Sequence, residues 1–154
     1  MKTIKLLSYK DLIEFYGDPG TEEGLNKINK AQVKIKIPFP LDYGRNTITV
    51  MSCHEYCAEA YVDALQEILD FYGLDNLQRF KLNTFHGCHV IRQTRNHKWW
   101  SIHSWGMAFD HNKHYGEYGQ KTIMPYYFIN AFLKRGFGWG GRFNDGMHIS
   151  TTGT

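Results

Sequence analysis

Apolar and basic side chains alternate along Val33-Lys34-Ile35-Lys36-Ile37, the period of a strand with one face buried, and the run stops at Pro38, which has no N–H to give a ladder. Thr47-Ile48-Thr49-Val50 repeats that period. The turn-rich Asp42-Tyr43-Gly44-Arg45-Asn46 ahead of it lets the two strands be neighbours. Phe80-Lys81-Leu82-Asn83-Thr84-Phe85 alternates too and predicts a further strand. The period changes to helical from about residue 53 to 72, where Val62, Leu65, Ile68, Leu69 and Tyr72 share a face, Ser52 and Glu55 form a capping-box pair, and Gly73 suits the C-terminal position. A second helix starts at Pro125, turns Phe128, Ile129, Phe132 and Leu133 inward and ends at Gly136. Ser8 with Asp11, followed by Leu12, Ile13, Phe15 and Gly17, predicts a short capped helix, whereas the polar residues 18–31 are expected to form a surface connection. Because these elements do not alternate regularly, the fold class is α+β, with a mostly antiparallel central sheet flanked by helices.

At 154 residues, the chain suits one domain over 1–154, with no second, separate binding module expected. Eighteen basic residues against 15 acidic ones leave a net charge of +3, too small and scattered an excess to argue for nucleic acid, though it permits an anionic substrate. A monomer is expected. Cys53, Cys57 and Cys88 are too few for a disulfide framework and are expected to stay reduced, with Cys53 and Cys57 on one helix face as small buried thiols. The N-terminus lacks the apolar core of a signal peptide, and no run approaches the ~18 apolar residues of a membrane span. The expectation is a protein made in the cytoplasm that reaches any outside target by another route.

Two glycine-punctuated stretches carry the chemistry: Ser101-Ile102-His103-Ser104-Trp105-Gly106-Met107-Ala108-Phe109-Asp110, and Trp139-Gly140-Gly141 with Asp145-Gly146-Met147-His148. A bend at Gly106 would bring His103 and Asp110 to one point, His148 is the natural third ligand, and two imidazoles with a carboxylate are a ligand set for catalytic zinc. Asp145 then remains over the open coordination position, placed to take a proton. Spacing alone supports equally well a hydrogen-bonded core histidine at 103 and a turn residue at 110.

Ser-x-His-x-x-Gly-x-Ala-x-Asp, complete here as Ser101, His103, Gly106, Ala108 and Asp110, resembles the signature of the zinc D-Ala-D-Ala carboxypeptidase and L-alanyl-D-glutamate endopeptidase family, relatives of the lysostaphin and hedgehog fold. Trp139-Gly140-Gly141 and the Asp145–His148 spacing are similar to its phage endolysin branch. The likeness extends upstream through Phe15-Tyr16-Gly17-Asp18-Pro19, Ile37-Pro38-Phe39-Pro40-Leu41, His54 and Phe85-His86-Gly87-Cys88. It implies zinc on His103, Asp110 and His148, Asp145 as general base and then acid, and Arg92, 11 positions before His103, polarising the scissile carbonyl. Arg95 is assigned to a substrate carboxylate or to structure, Ser101 to the bound peptide or to a backbone contact, and Trp139 to a groove wall or to packing. Trp99 and Trp100 are further candidates for that wall, and Trp105 is expected in the core. His111 and His114 are expected to be solvated loop residues. Asn96-His97-Lys98 stands where the family has Gly-Ser, and Ile149-Ser150 where it has an aromatic followed by Glu or Gln.

The resemblance implies a zinc metallopeptidase acting on the peptide stem of bacterial peptidoglycan, foremost as an L-Ala-D-Glu endopeptidase. A D,D-carboxypeptidase trimming terminal D-Ala is the nearest alternative, and a non-catalytic zinc-stabilised binding module is the other. A lysin released through a membrane lesion, or a virion component, fits the missing signal peptide.

Overall fold

The computed structural model describes residues 1–153. Helix α1 (Tyr9–Asp11) starts at the expected capping box, in which Ser8 Oγ accepts from the Asp11 N–H at 3.1 Å and the Asp11 carboxylate accepts from the Ser8 N–H at 2.8 Å. It runs on as a π turn, Leu12–Tyr16, that buries Leu12. Residues 18–31 are not merely a connection, because α2 (Glu22–Lys30) forms within them. Thr21 caps it by accepting from the Gly24 N–H, and Glu22 and Glu23 in the first turn with Lys27 and Lys30 in the last oppose the helix dipole. Its buried face is only Gly24 and Ile28, too thin an apolar stripe to register as a period.

Strands β1 (Gln32–Tyr43) and β2 (Asn46–His54) form an antiparallel hairpin that turns at Gly44, as the sequence anticipated. β1 does not end at Pro38. It continues through a register irregularity between Lys36 and Leu41, and Pro38 and Pro40 sit inside that irregularity, where no ladder N–H is required of them. The long helix α3 (Glu55–Tyr72) begins two residues later than expected. Its cap is His54, whose Nδ1 accepts from the Tyr56 N–H at 3.0 Å, while Ser52 and Cys53 belong to β2. α3 presents Cys57, Ala60, Tyr61, Ala64, Leu65 and Ile68 to the core. Gly73, at φ 73°, leads into α4 (Leu74–Arg79), and Leu77 of α4 is buried. The strand expected over Phe80–Phe85 is displaced: Lys81 turns with φ 53°, and β3 covers only Phe85–Gly87.

β4 (Ala108–His111), β5 (Gly138–Trp139) and β6 (His148–Ser150) complete an antiparallel sheet of order β3-β4-β6-β5. α5 (Tyr126–Leu133) starts at Pro125 and buries Phe128, Ile129 and Phe132, as its spacing predicts. α3 meets the sheet where Tyr61 stacks on Phe109, with ring centroids 3.8 Å apart and planes 10° from parallel. His111 belongs to this core and is no solvated loop residue. It is fully buried, 2.8 Å from the Tyr61 hydroxyl and packed against Phe85, Phe128 and Phe132, and burial pulls its pKa down to about 3. Its place on a four-residue strand that is buried along its whole length explains the difference, since such a strand has no polar face to announce it. His114 is exposed. The three cysteines are buried free thiols. Among the described residues, no helix is long and apolar enough to cross a membrane.

Candidate metal centre

Ser101 begins a 3₁₀ turn, Ile102–Trp105, that carries His103 and closes at Gly106 in the left-handed conformation, φ 69° and ψ 29°. A side chain there would also strike the Gln32 carboxamide, so the bend needs glycine. Trp105 anchors the turn in the core by donating to the Gly17 carbonyl at 2.8 Å. The chain then reverses into β4, which returns Asp110 to His103. His148 reaches the same point as the β6 residue directly opposite Asp110.

His103 Nδ1 is 2.7 Å from the Cys88 carbonyl oxygen, a contact only an Nδ1–H can satisfy. In the neutral ring, Nε2 is then a bare lone pair, and it lies 3.2 Å from Asp110 Oδ2 without forming a hydrogen bond. His148 Nδ1 is 3.1 Å from Asp110 Oδ1, and the two imidazole centroids are 5.1 Å apart. One donor atom from each of the three residues falls within 4.8 Å of the others. The His103 lone pair facing a carboxylate oxygen at 3.2 Å in a buried place is costly unless a cation lies between them. Burial pushes the Asp110 carboxyl up, but positive charge presented from the His103 and His148 side outweighs it and holds the group below the usual carboxylate range. Two nitrogens and a carboxylate suit zinc in both number and kind, so the residues fit the expected ion.

Asp145 lies beside this group. Burial, first of all, raises its pKa above the usual value, against the lowering influence of His148, His103 and Arg95. Its Oδ1 is buried with no hydrogen-bond partner. Gly140 makes this position possible, because a Cβ there would lie 2.5 Å from the Asp145 carbonyl oxygen and 3.2 Å from the His148 Cβ.

A cleft of about 660 Å³ opens over these four residues, lined also by Arg92, Arg95, Ser101, Trp99, Trp100, Tyr118 and Phe143. Arg92 and Arg95 are exposed in it, and Ser101 is buried at its edge, with its backbone N–H donating to the Arg92 carbonyl at 2.9 Å. Trp139 does not line the cleft. Its indole N–H donates to the Gly146 carbonyl at 2.8 Å, and the ring packs against Gly141. Trp99 and Trp100 do stand at the wall, and Tyr118 joins them from a turn and Phe143 from the 3₁₀ turn Gly140–Phe143, with no hydrophobic period to single them out. Two supporting residues also escaped the sequence reading. Cys88 acts through its carbonyl, which no side-chain pattern reports. Ser104 joins the Arg92 backbone twice, accepting from its N–H at 3.1 Å and donating to its carbonyl at 3.0 Å.

The family model described as D-alanyl-D-alanine carboxypeptidase matches residues 94–151, the span that holds His103, Asp110, Asp145 and His148. The match, over 58 of the 154 residues, supports a peptidase. No curated protein and no solved structure matches the chain.

Proposed function

We propose that this protein is a zinc metallopeptidase that hydrolyses the peptide stem of bacterial peptidoglycan, cutting the L-Ala-D-Glu bond as an endopeptidase. The observation that carries the reading is the bare His103 Nε2 set against the Asp110 carboxylate, with a partnerless buried oxygen of Asp145 alongside. His103 through Nε2, Asp110 through its carboxylate and His148 through Nδ1 would hold the ion. Zinc bound by these three residues would supply a Lewis acid and would lower the pKa of its bound water towards ~7. Asp145 accepts the proton of the attacking water. Its burial-raised pKa makes it a stronger base and lets it keep that proton until the amide nitrogen departs, when it returns the proton to the leaving amine. Arg92, whose backbone is held to the His103 turn through Ser104 and which lines the cleft, would stabilise the oxygen on which negative charge develops.

A second reading, trimming of terminal D-Ala, is favoured by the description of the matching family. Masses of digested muropeptides separate the two: free L-Ala ends identify the endopeptidase and loss of one alanine the carboxypeptidase. The zinc-loaded protein should release one of these products, and Asp145→Asn should retain zinc but lose the activity by orders of magnitude. A zinc-loaded protein inert on all wall types would overturn the peptidase reading in favour of a binding module.

A further inference from the structure

Arg95 and Tyr118 come from different connections and meet across the cleft, with the guanidinium carbon 4.1 Å from the centre of the phenol ring. Both connections are held firmly by their own backbones. In the first, the Thr94 N–H donates to the Trp99 carbonyl at 2.8 Å, and Asn96 Oδ1 accepts from Thr94 Oγ1 at 2.6 Å and from the Lys98 N–H at 3.0 Å. In the second, the Gly119 N–H donates to the Asn144 carbonyl at 2.6 Å and the Met147 N–H to the Gly116 carbonyl at 2.9 Å. Tyr118 is thereby tied to the residues flanking Asp145 and His148.

A guanidinium held over a ring through its charge still has N–H groups to offer a two-pronged acceptor. Among the described residues, no carboxylate lies within ion-pairing distance of Arg95, although its charge reaches Asp145 closely enough to lower that pKa. The cleft therefore holds a positioned, unneutralised cation near Asp145, the group that in the reading above passes a proton to the leaving amine.

We propose that Arg95, held in place by Tyr118, binds a free α-carboxylate on the residue that leaves with the amine, so that the site selects stems with this carboxylate and rejects those in which it is amidated. The inference rests on the stem-peptide reading above and deepens it. In an L-Ala-D-Glu cut, the D-Glu residue is joined onward through its γ-carboxyl, so its α-carboxylate is free one carbon from the scissile nitrogen. A C-terminal D-Ala carries its carboxylate at the same place, so the clamp serves either cut. Tyr118 is a positioning residue, acting through Arg95.

The test titrates zinc-loaded Asp145→Asn protein, which does not consume the peptide, with L-Ala-γ-D-Glu-L-Lys and with the same peptide bearing an α-carboxamide on the glutamyl residue, by calorimetry. The carboxylate form should bind at least about tenfold more tightly, the worth of a hydrogen-bonded ion pair in a cleft. Adding Arg95→Gln should bring the two affinities together by weakening only the carboxylate form. Tyr118→Leu should cut the preference roughly threefold, and Tyr118→Phe, which keeps the ring face, should restore it. Equal binding of the two peptides, no binding of either, or a preference that survives Arg95→Gln would overturn the proposal. Wild-type protein that prefers the carboxylate but cuts no stem peptide would sink the peptidase reading and leave the clamp standing. Hydrolysis of both forms without preference would do the reverse.

Discussion

Asp110 and His148 are cross-strand partners in the β4–β6 pair, which sets His148 Nδ1 3.1 Å from Asp110 Oδ1 across 38 positions of sequence. The strand register thus decides whether the donor set exists. A slip of one residue would turn one of the two side chains to the other face of the sheet. His103 joins them from the glycine-closed turn just before β4, so two short strands and one bend hold all three donors.

Since the donors are already gathered in the fold, zinc should bind the folded chain far better than the unfolded one and stabilise it. With free zinc a thousandfold above its dissociation constant, the gain is about 4 kcal/mol, a rise of several degrees in melting temperature. Asp110→Asn should abolish most of that rise. Calorimetric melts of the stripped and reloaded proteins check this, and an unchanged melting temperature in the wild type on zinc addition would contradict the site.

The meeting of His103 with Asp110 was legible in the sequence because their spacing around Gly106 reflects a local bend that glycine fits, whereas His148 arrives across 38 positions and was legible only from its motif. The helices at Glu55–Tyr72 and Tyr126–Leu133 were legible because each buries a full helical stripe. What stayed hidden depends on contacts without a period. α2 buries a single large side chain, Ile28, and a strand carries on past Pro38 because a register irregularity absorbs the prolines. His111 reads as polar in sequence, yet a tyrosine hydroxyl and surrounding rings make it a core residue.

His54 is a buried cap whose pKa falls to about 4 from 6.5, first because of burial and then because of nearby His89. In the unfolded chain it titrates near 6.5, so between pH 6.5 and 4 the unfolded state binds more protons and stability falls as pH falls. The contribution is fully present above pH 6.5 and is lost by pH 4, on the order of 3 kcal/mol at about 1.4 kcal/mol per pH unit. His54→Asn keeps a side-chain acceptor at the cap and removes the titration. Melting temperatures at pH 7 and pH 5 of the metal-free proteins should therefore differ less in the variant than in the wild type.

Gly140 allows the Asp145 carbonyl and the His148 Cβ to approach the β5 end of the sheet, and Gly140→Ala would place a methyl group 2.5 Å from that carbonyl. The neighbouring backbone must shift, and Asp145 moves with it. Misplacement of a base by about an ångström costs on the order of a hundredfold in turnover. Steady-state rates of the zinc-saturated variant should show that loss while its circular dichroism matches the wild type.

Ser104 is buried and bonds both the N–H and the carbonyl of Arg92, yet its own side chain does not line the cleft. Its removal should therefore act through the arginine. Ser104→Ala leaves the Arg92 amide without its partner, at a stability cost of about 1–3 kcal/mol, and loosens the guanidinium's aim. If Arg92 meets the substrate mainly where the oxyanion forms, the loss lies in the transition state and not in ground-state binding. In that case kcat should fall about tenfold with KM little changed. The cleavage kinetics of Ser104→Ala should match those of Arg92→Lys in kind and be milder in degree. A rise in KM with kcat preserved would instead place Arg92 on the ground-state peptide.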